Sequence, residues 1–270
     1  IFIRIHSILF FVILQIFLNT PKHKKGGKHK MDIIEIYNNY SSLGINSRPI
    51  TDGEEFSMVK EFVNFKKTSF KPTDTKNLAI FIETKINDAY PDVIFAEYNP
   101  CRYENWNIAR NTLSTDDLKI LHFIYSKRKV TSQRMVKELS IQYKTLLLSL
   151  EALMDAELII RKNSHWFVYN REEIFGIRCI EAVEAKISKW NVVMQQAIIN
   201  KTFASESSVL LKRKSEPDSE SVKRMNSFGI GIYLYNSEQF SCFAPANHNQ
   251  FPSNYNSIYL NECIGRIINN

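Results

Sequence analysis

The strongest indication of the fold is the stretch Ile180-Glu181-Ala182-Val183-Glu184-Ala185-Lys186-Ile187. Its apolar and small residues are typical of a short buried strand, and successive side chains of a strand alternate between its two faces. Glu184 and Lys186 are therefore predicted to share one face, opposite Val183. A carboxylate and an ammonium at this spacing are also typical of a solvated strand face. A functional interpretation thus needs a second carboxylate from elsewhere in the chain.

The second carboxylate that we predict for this site is Asp92, which follows Pro91 and heads a strand-like run over residues 93–96. Proline is tolerated there because no ladder hydrogen bond is lost at the first residue of a strand. Two carboxylates offer hard oxygen ligands to a divalent cation, and a nearby lysine can stabilise charge that builds on a phosphate. We therefore predict that the strands carrying Asp92 and Glu184 are neighbours in one sheet. A further Glu-x-Lys at residues 83–85 precedes Asp92 and is interpreted as surface.

Together, Pro91-Asp92 and the downstream Glu184-Ala185-Lys186 resemble the signature motif of the PD-(D/E)XK, or restriction endonuclease-like, nuclease superfamily. The resemblance implies an α/β (α+β) fold with a mixed sheet and an αβββαβ core. It also implies that Asp92 and Glu184 bind Mg²⁺ or Mn²⁺. Lys186 then positions the attacking water or offsets phosphate charge during hydrolysis of DNA. The interval between the two halves of the motif is longer than the usual hairpin, which implies an inserted domain.

Two predicted helices carry the remaining candidates for this site. Apolar residues recur at helical spacing over residues 53–65, and residues 190–203 form a second predicted helix. The resemblance implies that one acid of the first helix, Glu61 or Glu55, is an extra metal ligand, and we select Glu61. It also implies that Gln196 of the second helix assists catalysis. The alternatives are that the acids only favour a helix N-terminus and a solvated face, and that Gln196 is polar surface.

Residues 101–169 resemble a winged-helix DNA-binding module. Periodicity predicts three helices, over 115–128, from 132 and over 143–156, and the short strands that flank residues 163–164 form a hairpin wing. If the module docks as a helix-turn-helix, its third helix enters the major groove and its wing meets phosphates. The candidate DNA-binding residues are Gln142, Tyr143, Lys144 and Thr145 on the third helix, and Arg161 and Lys162 in the wing. Winged helices also mediate protein contacts, and this alternative stays open.

The predicted organisation is a restriction endonuclease-like core that is interrupted by the winged helix-turn-helix domain. Insertion at a surface loop is tolerated when the two insertion points lie close together. The predicted segments are a core first half over 31–110, the winged helix over 111–171, a core second half over 172–240 and an irregular, Asn-, Ser- and Phe-rich tail over 241–270. Residues 32–40 are predicted to form a helical turn.

Residues 1–30 are predicted to be a leader outside the native protein, because Lys25-Gly26-Gly27 is compatible with a translated ribosome-binding sequence shortly before Met31. Their apolar run over residues 8–18 is shorter than the ~20 residues that a membrane crossing needs. The net charge of +7 comes mostly from these thirty residues, which hold one Arg, five Lys and no acid. The rest holds 29 basic and 28 acidic residues, so global charge does not support DNA binding by the body of the chain.

The four cysteines lie far apart and include no CxxC pair, so neither a zinc site nor a disulfide framework is predicted. Their positions are Cys101, Cys179, Cys242 and Cys263. We expect a cytoplasmic protein with DNA as its partner and no membrane partner, and a homodimer is an open alternative.

Three functions are compatible with these patterns. The first is a metal-dependent DNA endonuclease whose winged helix presents the duplex to the site. The second is a non-catalytic winged-helix DNA-binding regulator that uses the nuclease-like core as a scaffold or sensor. The third is a protein-interaction module. The presence of Asp92, Glu184 and Lys186 favours the first, because a decayed site is expected to lose at least one of them.

Overall fold

A computed structural model describes residues 32–37, 40–49, 52–86, 89–187, 190–212, 217–236, 239–249 and 254–270. The predicted leader over residues 1–30 lies outside the described residues. Residues 32–270 form one compact unit. Within the described ranges, no helix combines the length and the apolarity that a membrane crossing requires.

The main structural layer is a seven-stranded mixed sheet, accompanied by a separate two-stranded hairpin. The strands are β1 (Ile33–Ile36), β2 (Asn77–Ile82), β3 (Val93–Tyr98), β4 (Ile159–Lys162), β5 (His165–Val168), β6 (Ile177–Lys186), β7 (Glu206–Lys212), β8 (Gly231–Asn236) and β9 (Gln239–Ala244). Their order in the sheet is β1-β2-β3-β6-β7-β8-β9, and β4 pairs with β5 in the hairpin. β3 runs antiparallel to both of its neighbours, β2 and β6, whereas β6, β7 and β8 run parallel to one another.

The predicted pairing of the two acid-bearing strands is confirmed. β3 and β6 are direct antiparallel neighbours, with Val93 opposite Val183 and Ile94 opposite Ala182. Because side chains alternate along each strand, this register defines two faces. The carboxylate face bears Ile94, Ala182 and Glu184, and the opposite face bears Val93 and Val183.

Eight α-helices are present in the described part of the chain. They are α1 (Glu54–Ser69), α2 (Thr115–Lys127), α3 (Ser132–Leu139), α4 (Tyr143–Asp155), α5 (Arg171–Ile174), α6 (Trp190–Asn200), α7 (Ser219–Ser227) and α8 (Tyr255–Ile268), with 3-10 turns at Ser41–Leu43, Pro100–Tyr103 and Ile108–Thr112. α1 buries its apolar stripe against the opposite face. α6 and α7 cover the β7–β8 half of the carboxylate face. The predicted order of helix, two strands, insert, strand, helix, strand, helix and strand is confirmed.

The insert between β3 and β6 contains α2, α3, α4 and the β4–β5 hairpin, as the periodicity predicts, together with two 3-10 turns before α2 and the short α5 after the hairpin. Thr131 caps α3 by accepting a hydrogen bond from the Arg134 N–H, and Ser140 ends this helix in the left-handed conformation with φ 53°. The Trp166 indole packs in the core and donates to the Ser132 hydroxyl at 2.9 Å, which joins the hairpin to α3. The helices and hairpin therefore share one apolar core, which is continuous with the carboxylate face of the sheet.

Two predictions about the ends of the described chain are wrong. Residues 32–40 contain β1 instead of a helical turn, and β1 extends the sheet by pairing in parallel with β2. The predicted irregular tail over residues 241–270 contains the end of β9 and all of α8. The Asn- and Ser-rich composition conceals a helical repeat of Ile258, Ile264 and Ile267, whose burial in the core shared with the insert outweighs the weak helix propensity of the polar residues.

A buried polar network fixes α8 to the start and the end of the insert. The Arg110 guanidinium donates to both carboxylate oxygens of Glu262, at 2.9 and 2.6 Å, and to the Ile174 carbonyl at 2.9 Å. The side-chain Oδ1 of the neighbouring Asn261 accepts from the Tyr103 hydroxyl and from the Gly176 N–H, both at 2.8 Å. One turn of α8 therefore connects the segment that leaves the sheet with the segment that returns to it.

Loss of the Glu262 carboxylate is expected to destabilise the fold strongly. Glu262→Ala leaves the buried Arg110 charge without its partner, and breaking a buried pair in this way costs about 3–5 kcal/mol in the free energy of unfolding. Equilibrium unfolding in urea measures this value. The matched control is Glu172→Ala, which removes an exposed carboxylate 3.9 Å from Arg102 and should change stability by less than about 1 kcal/mol. Equal effects of the two substitutions would contradict the structural role of the network.

Candidate active site

Three acidic residues lie in a row across the ends of three neighbouring strands. Asp92 directly precedes β3, and continuing the register of Val93 opposite Val183 by one residue sets Asp92 opposite Glu184. Glu83 directly follows β2, and its N–H donates to the Asp92 carbonyl at 3.2 Å. Directly opposite residues of an antiparallel pair share a face, with Cβ atoms ~4.5–5.5 Å apart. The fold therefore gathers three carboxylates that are separated by up to 101 positions, between Glu83 and Glu184, in the sequence.

Hydrogen bonds hold the carboxylates of Asp92 and Glu184 in different ways. Asp92 is buried, and its Oδ2 accepts from the Ala185 N–H at 2.7 Å, which ties the start of β3 to the end of β6. Glu184 is more deeply buried, and its Oε1 accepts from the Asn200 amide of α6 at 2.7 Å. The second oxygen of Glu184, Oε2, is buried and has no hydrogen-bond partner. This orphaned oxygen is available to a proton or to a cation.

Burial and mutual repulsion change the protonation of these acids. Burial, and then the nearby charge of Asp92, raise the pKa of Glu184 from its usual 4.5 to about 8, although the Asn200 bond acts in the other direction. Burial also raises the pKa of Asp92, against the effect of the Ala185 N–H. Glu83 shows the same direction, because burial and the charge of Asp92 raise its pKa. At neutral pH the row therefore favours the retention of a proton.

Two cations flank the row. The Lys186 Nζ lies 2.8 and 3.0 Å from the two carboxylate oxygens of Glu55. Burial acts to lower the pKa of Lys186, but its bonds to Glu55 and the charge of Asp92 outweigh this effect and raise it. On the other side, Arg48 Nη2 lies 2.6 Å from Glu83 Oε2 and 3.9 Å from Asp92 Oδ1. Lys186 therefore stays positively charged beside Asp92 and Glu184.

The cluster carries an excess of acid. Its four carboxylates and two cations leave two negative charges uncompensated when every group is ionised, and its members are Glu55, Glu83, Asp92, Glu184, Arg48 and Lys186. This excess equals the charge of one divalent cation. The donors around Asp92 and Glu184 are carboxylate oxygens, which Mg²⁺ and Mn²⁺ prefer. The orphaned Oε2 of Glu184 and the donor chemistry therefore fit a hard divalent cation.

The structure favours Glu55 over Glu61 as the helical acid of this cluster. The Glu61 carboxylate accepts a hydrogen bond from the Tyr235 hydroxyl on β8, which is two strands away from β6. Six residues along α1 correspond to about 9 Å of helix rise and to a different helix face. The selection of Glu61 as a metal ligand therefore disagrees with the geometry, whereas the alternative Glu55 contacts Lys186 directly.

The candidate Gln196 lies on the face of α6 that faces the acids. It precedes Asn200 by four residues, so the two side chains are neighbours on one helical face. Asn200 binds Glu184, and the Oε1 atom of Gln196 is buried without a hydrogen-bond partner. A catalytic role for Gln196 stays a prediction. Asn200 was not predicted as a site residue, because an asparagine at the end of a helix usually indicates only that the helix ends there.

The interpretation of Glu83 as surface is wrong, because its side chain is only 13% exposed and bonds to Arg48. Its Glu-x-Lys motif precedes Asp92 and offers no sign of this contact. The signal that could have identified it is the hairpin register, since β2 and β3 pair with Ile82 opposite Val93. One further step along this register places Glu83 opposite Asp92.

The candidate DNA-binding residues are exposed, as an interface requires. They are Gln142, which directly precedes α4, Tyr143, Lys144 and Thr145 in its first turn, and Arg161 and Lys162 on β4. Arg161 lies over the ring of Trp166, with its guanidinium carbon 5.5 Å from the ring centroid. Whether these residues contact DNA stays a prediction.

The insert and the acidic row occupy opposite ends of β3. The chain enters the insert after Tyr98 and returns to the sheet at Ile177, whereas Asp92 and Glu184 lie at the other end of this pair of strands. The six residues of β3 correspond to about 20 Å. The insert therefore lies far enough from the acids that any joint role requires an extended ligand.

Comparisons of the chain with protein-family models, with curated proteins and with solved structures find no match. The resemblance to the PD-(D/E)XK superfamily, and the winged-helix nature of the insert, therefore stay predictions.

The raised pKa of Glu184 predicts that the protein becomes less stable as pH rises, when a chelator keeps divalent metal ions out of the site. Between pH 4.5 and about 8 the folded state retains a proton on Glu184 that the unfolded state loses, so the free energy of unfolding falls as pH rises. Glu184→Gln removes this titration and is expected to raise stability at pH 8 by ~1–3 kcal/mol. Urea unfolding at pH 5 to 8 in a chelating buffer measures both effects.

The control for this prediction is Glu220→Gln, which alters an exposed carboxylate on α7 and should leave the pH dependence of stability unchanged. If Glu184→Gln retains the pH dependence of the wild type, Glu184 is not the group that titrates in this range.

Proposed function

We propose that this protein is a metal-dependent DNA endonuclease that hydrolyses phosphodiester bonds with Mg²⁺ or Mn²⁺. The observation that supports the proposal most is the row of Glu83, Asp92 and Glu184 with Lys186 beside it. Such an excess of buried carboxylates opposes folding unless a ligand compensates it. A divalent cation is the ligand that matches both its charge and its oxygen donors.

In this proposal the protein groups have separate roles. Asp92 and Glu184 would hold the cation, which when bound polarises a phosphoryl oxygen and lowers the pKa of water. The Ala185 N–H and the Asn200 amide orient the two carboxylates by donating one hydrogen bond to each. Lys186 offsets the charge that develops on the phosphate, and Glu55 holds the ammonium in place until substrate arrives.

The insert would act as a winged helix that binds the duplex. Its helices and hairpin have the required order, and Lys144 and Arg161 are exposed at the positions that meet the major groove and phosphates in such modules. The ~20 Å along β3 corresponds to about six base pairs of B-DNA at 3.4 Å per step. A duplex that contacts both the insert and the acidic row would have to extend at least this far.

An alternative function for the insert is protein contact, and the surface of α4 favours it. Tyr143, Leu147 and Leu148 are exposed, with 53%, 43% and 58% of their surface accessible. Helices that enter the major groove usually carry polar and basic side chains, because they meet base edges and phosphates. In this alternative the chain is a scaffold or sensor, and the insert binds another protein.

Removal of one carboxylate is expected to abolish cleavage and to leave DNA binding intact. Asp92→Asn keeps the size of the side chain but removes the charge that attracts the cation, so Mg²⁺-dependent cleavage should almost disappear. Lys186→Ala should reduce the cleavage rate by ~10²-fold or more, because it removes a cation from the site where negative charge develops. The assay measures cleavage of linear, nicked and branched DNA with Mg²⁺ or Mn²⁺, beside the surface control Glu220→Gln.

The result that would overturn the nuclease proposal is a folded wild-type protein that binds DNA and cuts none of these substrates. Cleavage by Asp92→Asn at the rate of the wild type would exclude this site as its source. Either result would make the regulator hypothesis the better one.

Lys144 and Arg161 are expected to contribute to DNA affinity through phosphates. Replacing either with Ala should weaken binding to all sequences and reduce the slope of log affinity against log salt by roughly one phosphate contact. Fluorescence anisotropy over a range of salt concentrations measures the slope. The matched control is Lys119→Ala, on the exposed surface of α2 and ion-paired with Asp116 at 2.9 Å.

Unchanged salt slopes in both Lys144→Ala and Arg161→Ala would instead support the protein-contact alternative. In that case Leu148→Lys, which changes an exposed apolar residue of α4, becomes the informative variant for partner binding.

A further inference from the structure

A second group of metal-binding side chains lies elsewhere on the sheet. Cys179 of β6, Glu206 at the start of β7 and His248 after β9 each place one ligand atom within 4.8 Å of the others. The His248 Nδ1 atom lies 3.0 Å from Glu206 Oε1. These residues come from three separate segments, so their convergence is a property of the fold and not of a local motif.

This group is distinct from the acidic row. Cys179 and Glu184 belong to the same strand, but they are five residues apart, which corresponds to about 17 Å. An odd number of steps along a strand also places them on opposite faces of the sheet. One ion therefore cannot contact both groups, and neither group depends on the other for its ligands.

Backbone contacts hold the segment that carries His248 against the sheet. The Asn247 N–H donates to the Gly229 carbonyl at 3.0 Å, and the Asn249 N–H donates to the Ser205 carbonyl at 2.8 Å. Gly229 has φ +66°, and a Cβ atom there would lie 2.8 Å from the Asn247 side chain. Glycine thus permits both the backbone conformation and the close approach. The two hydrogen bonds of Asn247 and Asn249 therefore hold the backbone of His248 against the sheet.

Burial raises the pKa of the Cys179 thiol to about 11, so a cation would have to displace its proton to bind the sulfur. The Ser205 hydroxyl lies 3.4 Å from Cys179 Sγ and 2.9 Å from the Ile180 carbonyl, so its single proton can be donated to either. A thiolate is a stronger acceptor than a thiol, and outer hydrogen bonds of this kind orient and stabilise metal ligands. Glu97 lies opposite Cys179 in the sheet and adds negative charge, which Lys76 balances at 3.1 Å.

We propose that Cys179, Glu206 and His248 form a zinc-binding site. Thiolate, imidazole and carboxylate together are typical ligands of Zn²⁺, whereas Mg²⁺ and Ca²⁺ prefer oxygen donors alone. Three protein ligands leave one tetrahedral position for water or for an added ligand. The site is independent of the proposed nuclease function, and it joins the starts of β6 and β7 to the segment after β9.

The test uses the untagged, full-length protein after removal of metal. Zn²⁺ affinity is measured by competition with a chromophoric chelator, and Co²⁺ serves as a spectroscopic probe because a cobalt–thiolate bond gives a charge-transfer band. The wild type should show this band. Cys179→Ser should lose it, and His248→Ala should weaken Zn²⁺ binding by about tenfold or more, since even outer-shell changes cost 10–100-fold. His248 is exposed, so its removal should leave the fold intact.

Two variants serve as controls. Cys242→Ser alters an exposed cysteine, and His165→Ala alters a histidine of the β4–β5 hairpin, outside the proposed site. Each should retain the charge-transfer band and the affinity of the wild type. The proposal is overturned if the wild type shows no cobalt–thiolate band, or if the band survives in Cys179→Ser. It is also overturned if His248→Ala binds Zn²⁺ as tightly as the wild type.

Discussion

The antiparallel register of β3 and β6 is the constraint from which the candidate site follows. With Val93 opposite Val183, the next pair is Asp92 and Glu184, and a shift of one residue would turn one of these acids to the other face of the sheet. The bond from the Ala185 N–H to Asp92 holds this register at its last position. The same pairing also forces the insert to leave and re-enter the sheet at adjacent points. The site and the insert are therefore two consequences of one strand pairing.

A pairing between strands that are distant in sequence needs more than ladder hydrogen bonds, because closing the long intervening segment costs conformational entropy. α8 supplies the additional contacts. Its Glu262 binds Arg110 on the segment that leaves the sheet, and its Asn261 binds Gly176 on the segment that returns. The apolar side of α8 belongs to the cluster that also includes the cores of the insert and of the sheet. The C-terminal helix therefore holds the two ends of the insert against the core, although it contributes no residue to the acidic row.

The requirement that Asp92 and Glu184 reach one cation was sufficient to predict that β3 and β6 are neighbours. Period-2 alternation was sufficient to predict that Glu184 and Lys186 share one face. Other features needed three-dimensional information. Glu83 joins the row only through the β2–β3 register, with a positive φ of 49° at a residue other than glycine, and no local pattern indicates this. α8 was missed because its buried polar residues resemble a loop sequence. Cysteine spacing argued against a zinc site, since Cys179 acquires its neighbours only after β6, β7 and the segment after β9 have assembled.

The two groups of ligands on β6 differ in chemistry and in cost to the fold. At the C-terminal end of β6, the buried carboxylates repel one another. Burial and the charge of Asp92 raise the pKa of Glu184 to about 8. The folded protein therefore favours a bound proton at the same position where a bound cation would relieve the repulsion. At the N-terminal end of β6, Glu206 and His248 are partly exposed and form an ion pair when the imidazole is protonated. The folded state therefore loses little stability when no ligand is bound. Repulsion between buried carboxylates persists in proteins chiefly at functional sites. The acidic row therefore carries the stronger argument for activity, and the Cys179 group is better suited to holding strand ends together.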